Sequence, residues 1–402
     1  MTQVLPLGIR LNLASLAILA MGLPNCPAQA AGMADQQRQT AITLEQQGNN
    51  VEAETAWRAV LKAHPADAEA YAHLGLLAAH QEHYREAVPL YRKALALNPA
   101  MPSLRLNLGL SLFKSGALKE AIQTFTPLLK SEPSSSPGAL RLATLIGMAH
   151  YGLGEYAAAV PYLEQATAAD TQNLPFRLAL AHSCLRSQQY QCVLDVYHQI
   201  LTLNAESAEA DMLAGEALDE MKDPVGATVQ FRAAVKQDSR LPDAHFGLGY
   251  LLWGQLQFEE AVQEFHAELA NNPDHAQALA YLADSEMRLS HPEAASPLLE
   301  KAVRIDPRIE LAHLDLGILY SDAGRKNDAL GEFTIAEKLS PNDQSVHWRL
   351  ARFYQAIGKI NEAKVEFDKT RSLQKAADET VFKKLHEAQA KGKSADEAPA
   401  VN

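Results

Sequence analysis

The sequence predicts an all-α array of about ten two-helix repeats, and three observations carry that prediction. One ending recurs: YRKALALNP at Tyr91–Pro99 returns as LEKAVRIDP at Leu299–Pro307 and FTIAEKLSP at Phe333–Pro341, at separations of 208 and 34 residues. Prolines 65, 99 and 133, and again 273, 307 and 341, step by 34. Extended through the chain, that step gives ten units starting near residues 34, 68, 102, 140, 174, 208, 242, 276, 310 and 344. Three columns then fall into line. The eighth place is Gly or Ala throughout (Gly75, Gly109, Gly249, Ala283, Gly317). The twentieth is Ala in every unit except at Val193. The twenty-fourth is bulky (Trp57, Tyr91, Phe125, Phe265, Phe333).

Each column has a physical reason. Apolar residues inside a unit follow helical spacing, as Leu106, Leu108, Leu112 and Phe113 do. A turn near the fifteenth place, often Gly (Gly116, Gly154, Gly324, Gly358), joins two helices. Small residues at places eight and twenty let those helices approach, because the distance between helix axes follows the size of the contact side chains. The bulky twenty-fourth residue fills the space between neighbours. The closing Pro cannot continue a helix, and it biases the residue before it away from helical angles. One step is 38 rather than 34, and the extra residues fall in SEPSSSPG, Ser131–Gly138, which reads as a lengthened, loosened joint.

This pattern resembles the tetratricopeptide repeat family, whose 34-residue period and W-L-G-Y…A…F…P signature it follows, most closely in AYAHLGLLAAHQEHYREAVPLYRKALALNP, Ala70–Pro99. The resemblance implies a right-handed superhelical solenoid over residues 34–375, with the first helix of each pair lining a concave face. Residues 376–391, carrying Val381, Phe382 and Leu385, are expected to form a capping helix, and residues 392–402 a disordered tail.

The N-terminus reads as an export signal in residues 1–30. Arg10 precedes the apolar run Leu11–Leu23, and Ala28 and Ala30 supply the small-x-small cleavage pattern. Thirteen apolar residues are short for a bilayer span, and LPNC before Cys26 lacks the small residue of a lipidation box. Cleavage after Ala30 is therefore expected, with an uncleaved anchor as the alternative, and a periplasmic or secreted location. It would move the net charge from -12 to -13, since Arg10 is the one charged residue removed. That acidic balance argues against non-specific nucleic-acid binding, which needs clustered cations.

Motifs of chemistry are absent. The sequence holds no phosphate-cradling Gly loop, no G-x-S-x-G elbow and no H-E-x-x-H. His80 and His83 sit at a turn with no third ligand in view, and acid pairs such as Glu259 and Glu260 read as solvated helix faces. No enzyme, cofactor or metal is expected. Cys184 and Cys192, at places eleven and nineteen of the fifth unit, lie four residues either side of its turn and form a candidate disulfide in an oxidising compartment. Two small buried hydrophobes is the alternative.

The resemblance also implies that places two, five, nine, twelve and thirteen line the groove. These hold Leu106, Leu110 and Phe113 in the third unit, Met148 and Tyr151 in the fourth, and Met212, Glu216 and Asp219 in the sixth. They hold Phe246, Tyr250 and Trp253 in the seventh, and Asp284 in the eighth. The Lys and Asn that some members place at five and nine to clamp a peptide carboxylate are missing. An apolar, aromatic and acidic groove is expected instead, binding peptides or helices of partner proteins. The alternative is an accessory subunit that binds carbohydrate or polymer on the aromatic stripe.

Overall fold

The computed structural model describes residues 33–134, 136–203 and 206–396. The expected export signal lies outside them, as do residues 397–402 at the other end. Among the described residues there are twenty helices and no strand. They form two compact groups, one ending at Glu206 and the other beginning at Ser207.

The first group holds five helix pairs: α1 (Met33–Gln46) with α2 (Asn50–Ala63), α3 (Ala68–His80) with α4 (Tyr84–Leu97), α5 (Pro102–Lys114) with α6 (Leu118–Ser131), α7 (Pro137–Gly152) with α8 (Tyr156–Ala169), and α9 (Leu174–Arg186) with α10 (Tyr190–Thr202). The second holds five more: α11 (Ala208–Glu220) with α12 (Pro224–Gln237), α13 (Ala244–Gly254) with α14 (Phe258–Asn271), α15 (Ala276–Arg288) with α16 (Pro292–Ile305), α17 (Glu310–Asp322) with α18 (Lys326–Leu339), and α19 (Gln344–Ala356) with α20 (Ile360–Asp396). Within each group every pair packs on the next, so each is an all-α repeat solenoid.

The register read from the sequence recurs atom by atom. The fifteenth residue of all ten units has positive φ: Gly48, Gly116, Gly154, Gly324 and Gly358, and the non-glycines Glu82, Gln188, Lys222, Leu256 and Ser290. The helix pair therefore closes through one left-handed residue whatever its side chain. Every eighth-place glycine except Gly147, where place twenty-four is Leu163, faces the ring at place twenty-four of its own unit. A Cβ on Gly75 would stand 2.7 Å from Tyr91 Cδ1, one on Gly249 2.7 Å from Phe265 Cε1, and one on Gly317 2.6 Å from Phe333 Cδ1. Tyr91, Phe265 and Phe333 are all buried, as are Ala87, Ala261 and Ala329 at the twentieth place.

Two expectations change. The four-residue insertion is not simply a longer joint. Pro137–Ala139 extend α7 at its N-terminus, making it 16 residues against 13 in most first helices. Ser136 caps it by accepting from Ala139 N and donates its own hydroxyl to Glu132 Oε2 at 2.9 Å. The reason is chemical: Ser-Pro is a good helix start, because proline at the first helical position loses no hydrogen bond. Residues 376–391 do not form a separate capping helix either. They continue α20, which runs unbroken to Asp396 and so takes in the first residues of the expected tail. No proline or glycine stands between Ile360 and Lys391 to stop it.

Cys184 and Cys192 are joined, with Cα atoms 5.9 Å apart, stapling α9 to α10 across the turn. The bond closes a short loop of separation 8, and its loss should cost the first group about 2–3 kcal/mol. Reduction is expected to lower its urea midpoint, and the denatured, unreduced chain should show no reactive thiol at either position. Two titratable thiols there would overturn the expectation.

Candidate functional site

The seventh to tenth repeats bring chemistry together on their first helices. α13 starts late, at Ala244, because Asp243 before it has φ 65. His275, the cap of α15, donates from Nε2 to Asp243 Oδ1 at 3.0 Å, while its Nδ1 accepts from Ala278 N. That contact ties the start of α13 to the next repeat. It raises the His275 imidazole above its ordinary range and holds the Asp243 carboxyl below it.

From this start α13 presents Phe246, Tyr250 and Trp253 at helical spacing. Phe246 is half-buried, with its ring 4.7 Å from that of His275. Tyr250 is exposed and stacks on Trp253 at 6.1 Å. Tyr281 of α15 closes the group edge-on, 5.3 Å from Tyr250 and 5.0 Å from Trp253. The indole is not free: Trp253 Nε1 donates to Asp284 Oδ2 at 2.6 Å.

Asp284 is therefore not an open groove acid. It is 3% exposed and engaged on both oxygens, with Arg288 Nε donating to Oδ1 at 3.3 Å. Beyond it lies a cavity of about 340 Å³ lined by Trp253, Tyr281, Asp284, Arg288, Glu310, Leu314, Asp315 and Arg349 among others. Asp315 is 3% exposed, and its Oδ2 has no hydrogen-bond partner. Glu310 Oε1 is likewise buried without one. Burial, then Asp284, pushes the Asp315 carboxyl well above the carboxylate range, against the pull of Arg288 and Arg349. Glu310 is pushed up to about 7, by burial first and Asp343 second, with His313 opposing.

Between about 4.5 and 7 folded Glu310 holds a proton that the unfolded chain has released, so stability falls as pH rises through that window. Glu310→Gln should flatten the fall, adding about 1 kcal/mol at pH 8 after allowance for solvent screening and little at pH 4.5. Urea midpoints of both proteins at the two pH values check this, and parallel curves would refute it.

The other expected groove residues are placed as follows. Leu106, Leu110 and Phe113 are half-buried and pack against the core formed by Leu104, Leu108, Leu112, Phe125 and Ile146. Met148 is half-buried, and Tyr151 stands edge-on to Tyr156 at 5.9 Å and to His182 at 5.6 Å. Met212 packs against the core of Phe231, Leu248 and Phe265. Glu216 and Asp219 are half-buried on α11. His80 and His83 are exposed at the end of α3 and the start of α4.

Two groups have metal-like convergence, with ligand atoms within 4.8 Å: Asp243, Glu268 and His275, and Glu337, His347 and Glu366. Both are already occupied by protein hydrogen bonds. In the second, Lys369 Nζ lies 2.8 Å from Glu337 and 2.9 Å from Glu366, and His347 reaches Glu366 and the Pro341 carbonyl. That histidine belongs to a pin absent from the sequence reading. His245–Glu264, His313–Glu332 and His347–Glu366 each join places four and twenty-three of one repeat at 2.6 Å. Wherever His stands at place four, Glu stands at twenty-three, a pairing visible in the repeat alignment.

Sequence reasoning also missed Tyr281, Asp315 and Arg349, all three at the sixth place of their repeats. Looking down that column would have found them.

Helix pairs stacked in this way are the architecture of a protein-interaction scaffold. Family models described as tetratricopeptide repeat match residues 78–146, residues 39–84 and 246–308, and residues 140–173. Over these stretches the chain is a tetratricopeptide repeat protein. Among curated proteins it is similar to the protein CTR9 homolog of Arabidopsis thaliana, 24% identical over 302 residues, 70% of this chain and 27% of that one. It is similar also to the BBSome complex member BBS4 of Bos taurus, 23% identical over 309 residues, 76% of this chain and 58% of that one. The chain thus spans less than two thirds of either relative. Among solved structures, YrrB, described as a TPR protein with an unusual peptide-binding site, aligns with 47% of this chain and 95% of its own at 21% identity and a TM-score of 0.38. The Cut9–Hcn1 assembly of APC/C aligns over 86% of this chain and 88% of its own at 12% identity and a TM-score of 0.43. No described helix is long and apolar enough to cross a membrane.

Proposed function

We propose that this protein is an exported, non-catalytic scaffold that takes up peptide segments or helices of partner proteins on its first helices, in envelope assembly, secretion or polysaccharide export. The carrying observation is the aromatic face of α13: Tyr250 is 39% exposed beside half-buried Phe246 and Trp253, and aromatic anchors of this kind dominate binding energy at protein interfaces. The export part rests on the apolar run Leu11–Leu23 and the Ala28-x-Ala30 pattern. The acidic balance supports protein rather than nucleic-acid partners. A carbohydrate-binding role on the same rings is the second reading. Against it, the Tyr250 and Trp253 faces stack on each other rather than standing apart for a sugar.

A photo-crosslinking residue in place of Tyr250 tests the scaffold reading in intact cells. A discrete protein adduct, lost when the same residue replaces exposed Val225 instead, is expected. Retention on polysaccharide with no protein adduct would overturn it in favour of the second reading. The export reading is checked separately by the N-terminal residue of the purified protein, expected to be Ala31 and recovered outside the cytoplasm. An intact N-terminus in the cytoplasmic fraction would overturn that part alone.

A further inference from the structure

The cavity between α13, α15, α17 and α19 carries more acid than it can compensate from within. Four carboxyl groups line it, Asp284, Glu310, Asp315 and Asp343, with two guanidinium groups, Arg288 and Arg349. Each of the others has a task. Asp284 is saturated by Trp253 and Arg288. Asp343 caps α19 through Ser345 N and Val346 N. Arg349 leans over the Trp348 ring, its Cζ 5.0 Å from the centroid. What remains is Asp315, nine-tenths and more buried with Oδ2 unpartnered, and the orphaned Oε1 of Glu310 on the same wall.

Leaving a buried acceptor without a donor is destabilising, and leaving an ionised carboxylate so is more costly still, so such a group points to a donor supplied from outside the fold. The walls fit a cation on an alkyl stem. Trp253 and Tyr281 are aromatic, with the indole held in place by Asp284, and Leu314 and Ile318 are apolar. A cation near such rings gains a further attraction, strongest when desolvated. The volume far exceeds the ~30 Å³ share of a single water.

We propose that this cavity seats the basic side chain of a bound partner segment, an arginine or lysine whose charge meets Asp315 and Glu310 while its stem lies along Trp253, Tyr281 and Leu314. This rests on the scaffold reading for its ligand class, and it adds the chemistry recognised: the partner segment carries a basic anchor next to the apolar residues taken by the α13 rings. Entry of the cation favours the charged form of both acids. Binding therefore releases protons and strengthens as pH rises from about 5 to 8. The groups that set this are Asp284, Arg288, Glu310, His313, Asp343 and Arg349, which face Asp315 or Glu310 from α15, α17, α19 and the cap of α19.

Two measurements on the full chain test the idea. In the first, N-acetyl-L-argininamide and N-acetyl-L-lysinamide are titrated while the Trp253 indole proton is followed by NMR. N-acetyl-L-citrullinamide serves as the uncharged isostere. A saturable shift is expected with at least one cation and none with citrulline. It should weaken at least tenfold in Asp315→Asn and threefold or more in Glu310→Gln. Asp315→Asn cannot ionise to meet the cation but keeps the side chain's shape, and Glu310→Gln stands as the second variant if it does not fold. No saturable shift, or a shift unchanged in the folded variants, overturns the proposal. In the second, a randomised dodecapeptide library is selected on the full chain. Peptides enriched without any basic residue leave the scaffold reading standing and sink the basic anchor. No enrichment despite a cation-specific indole shift does the reverse.

Discussion

Gly75→Val is expected to be among the most destabilising single changes in the first group of repeats, at about 3 kcal/mol. In an exposed helix, replacing glycine ordinarily gains up to about 1 kcal/mol, because glycine is the more flexible residue in the unfolded chain. Here the sign reverses. The Cβ alone would stand 2.7 Å from both Cδ1 and Cε1 of Tyr91. That ring cannot yield: it is 1% exposed and sits in the core with Ala87, Ala94, Leu104 and Leu108. Urea unfolding should show the loss. Adding Tyr91→Leu to Gly75→Val should return part of it, so that the double variant is more stable than the sum of the single changes predicts. Strict additivity would mean that the ring and the glycine do not meet.

Ala329→Leu should cost about 1–3 kcal/mol for the same class of reason, at the other small position of the repeat. Ala329 is fully buried, packed with Leu314, Phe333, Val346, Leu350 and Phe353. Three added carbons have no space there unless α17 and α18 part. Repeat arrays are stabilised by nearest-neighbour terms, so the damage should stay local. Hydrogen exchange is expected to quicken in α17–α20 while α11–α14 keep their protection. Uniform quickening across the second group would show that its five repeats unfold as one block, and no change would show that the residue lies outside the packed seam.

The fold was legible because its determinants are periodic. A glycine such as Gly249 looks ordinary alone, but set beside Gly75, Gly109 and Gly317 it marks a close approach that recurs every repeat. The exceptions became visible only in three dimensions. SEPSSSPG has loop composition, yet its Ser-Pro pair starts α7 a turn early. Asp243 carries no sequence sign of its left-handed backbone, since what holds it is His275 in the next repeat.

The site was half legible for a different reason. Places five, nine and twelve pick out the rings of α13, but whether a side chain is open or engaged depends on partners a repeat away. Asp284 reads as a groove acid and is instead the hydrogen-bond partner that fixes Trp253. Asp315 reads as one more helical aspartate, yet it is the group left without a donor. Periodicity reports which face a residue occupies. It does not report the balance of donors and acceptors among residues 31 or 62 positions apart, such as Trp253, Asp284 and Asp315.

The left-handed residue at the fifteenth place gives experimental access to how far one repeat feels another. Glu82, Gln188, Lys222, Leu256 and Ser290 hold this torsion without being glycine, and all five are exposed. A left-handed conformation costs an ordinary residue roughly 1–2 kcal/mol, and glycine adopts it freely. Each change to glycine therefore adjusts the local energy of one hairpin and touches no packed side chain. Made singly, the five form a set of probes spread along the chain that change local energy and leave the packing as it is. The distance over which each alters exchange in neighbouring hairpins is a correlation length, measured by a torsion and undisturbed by any change in shape.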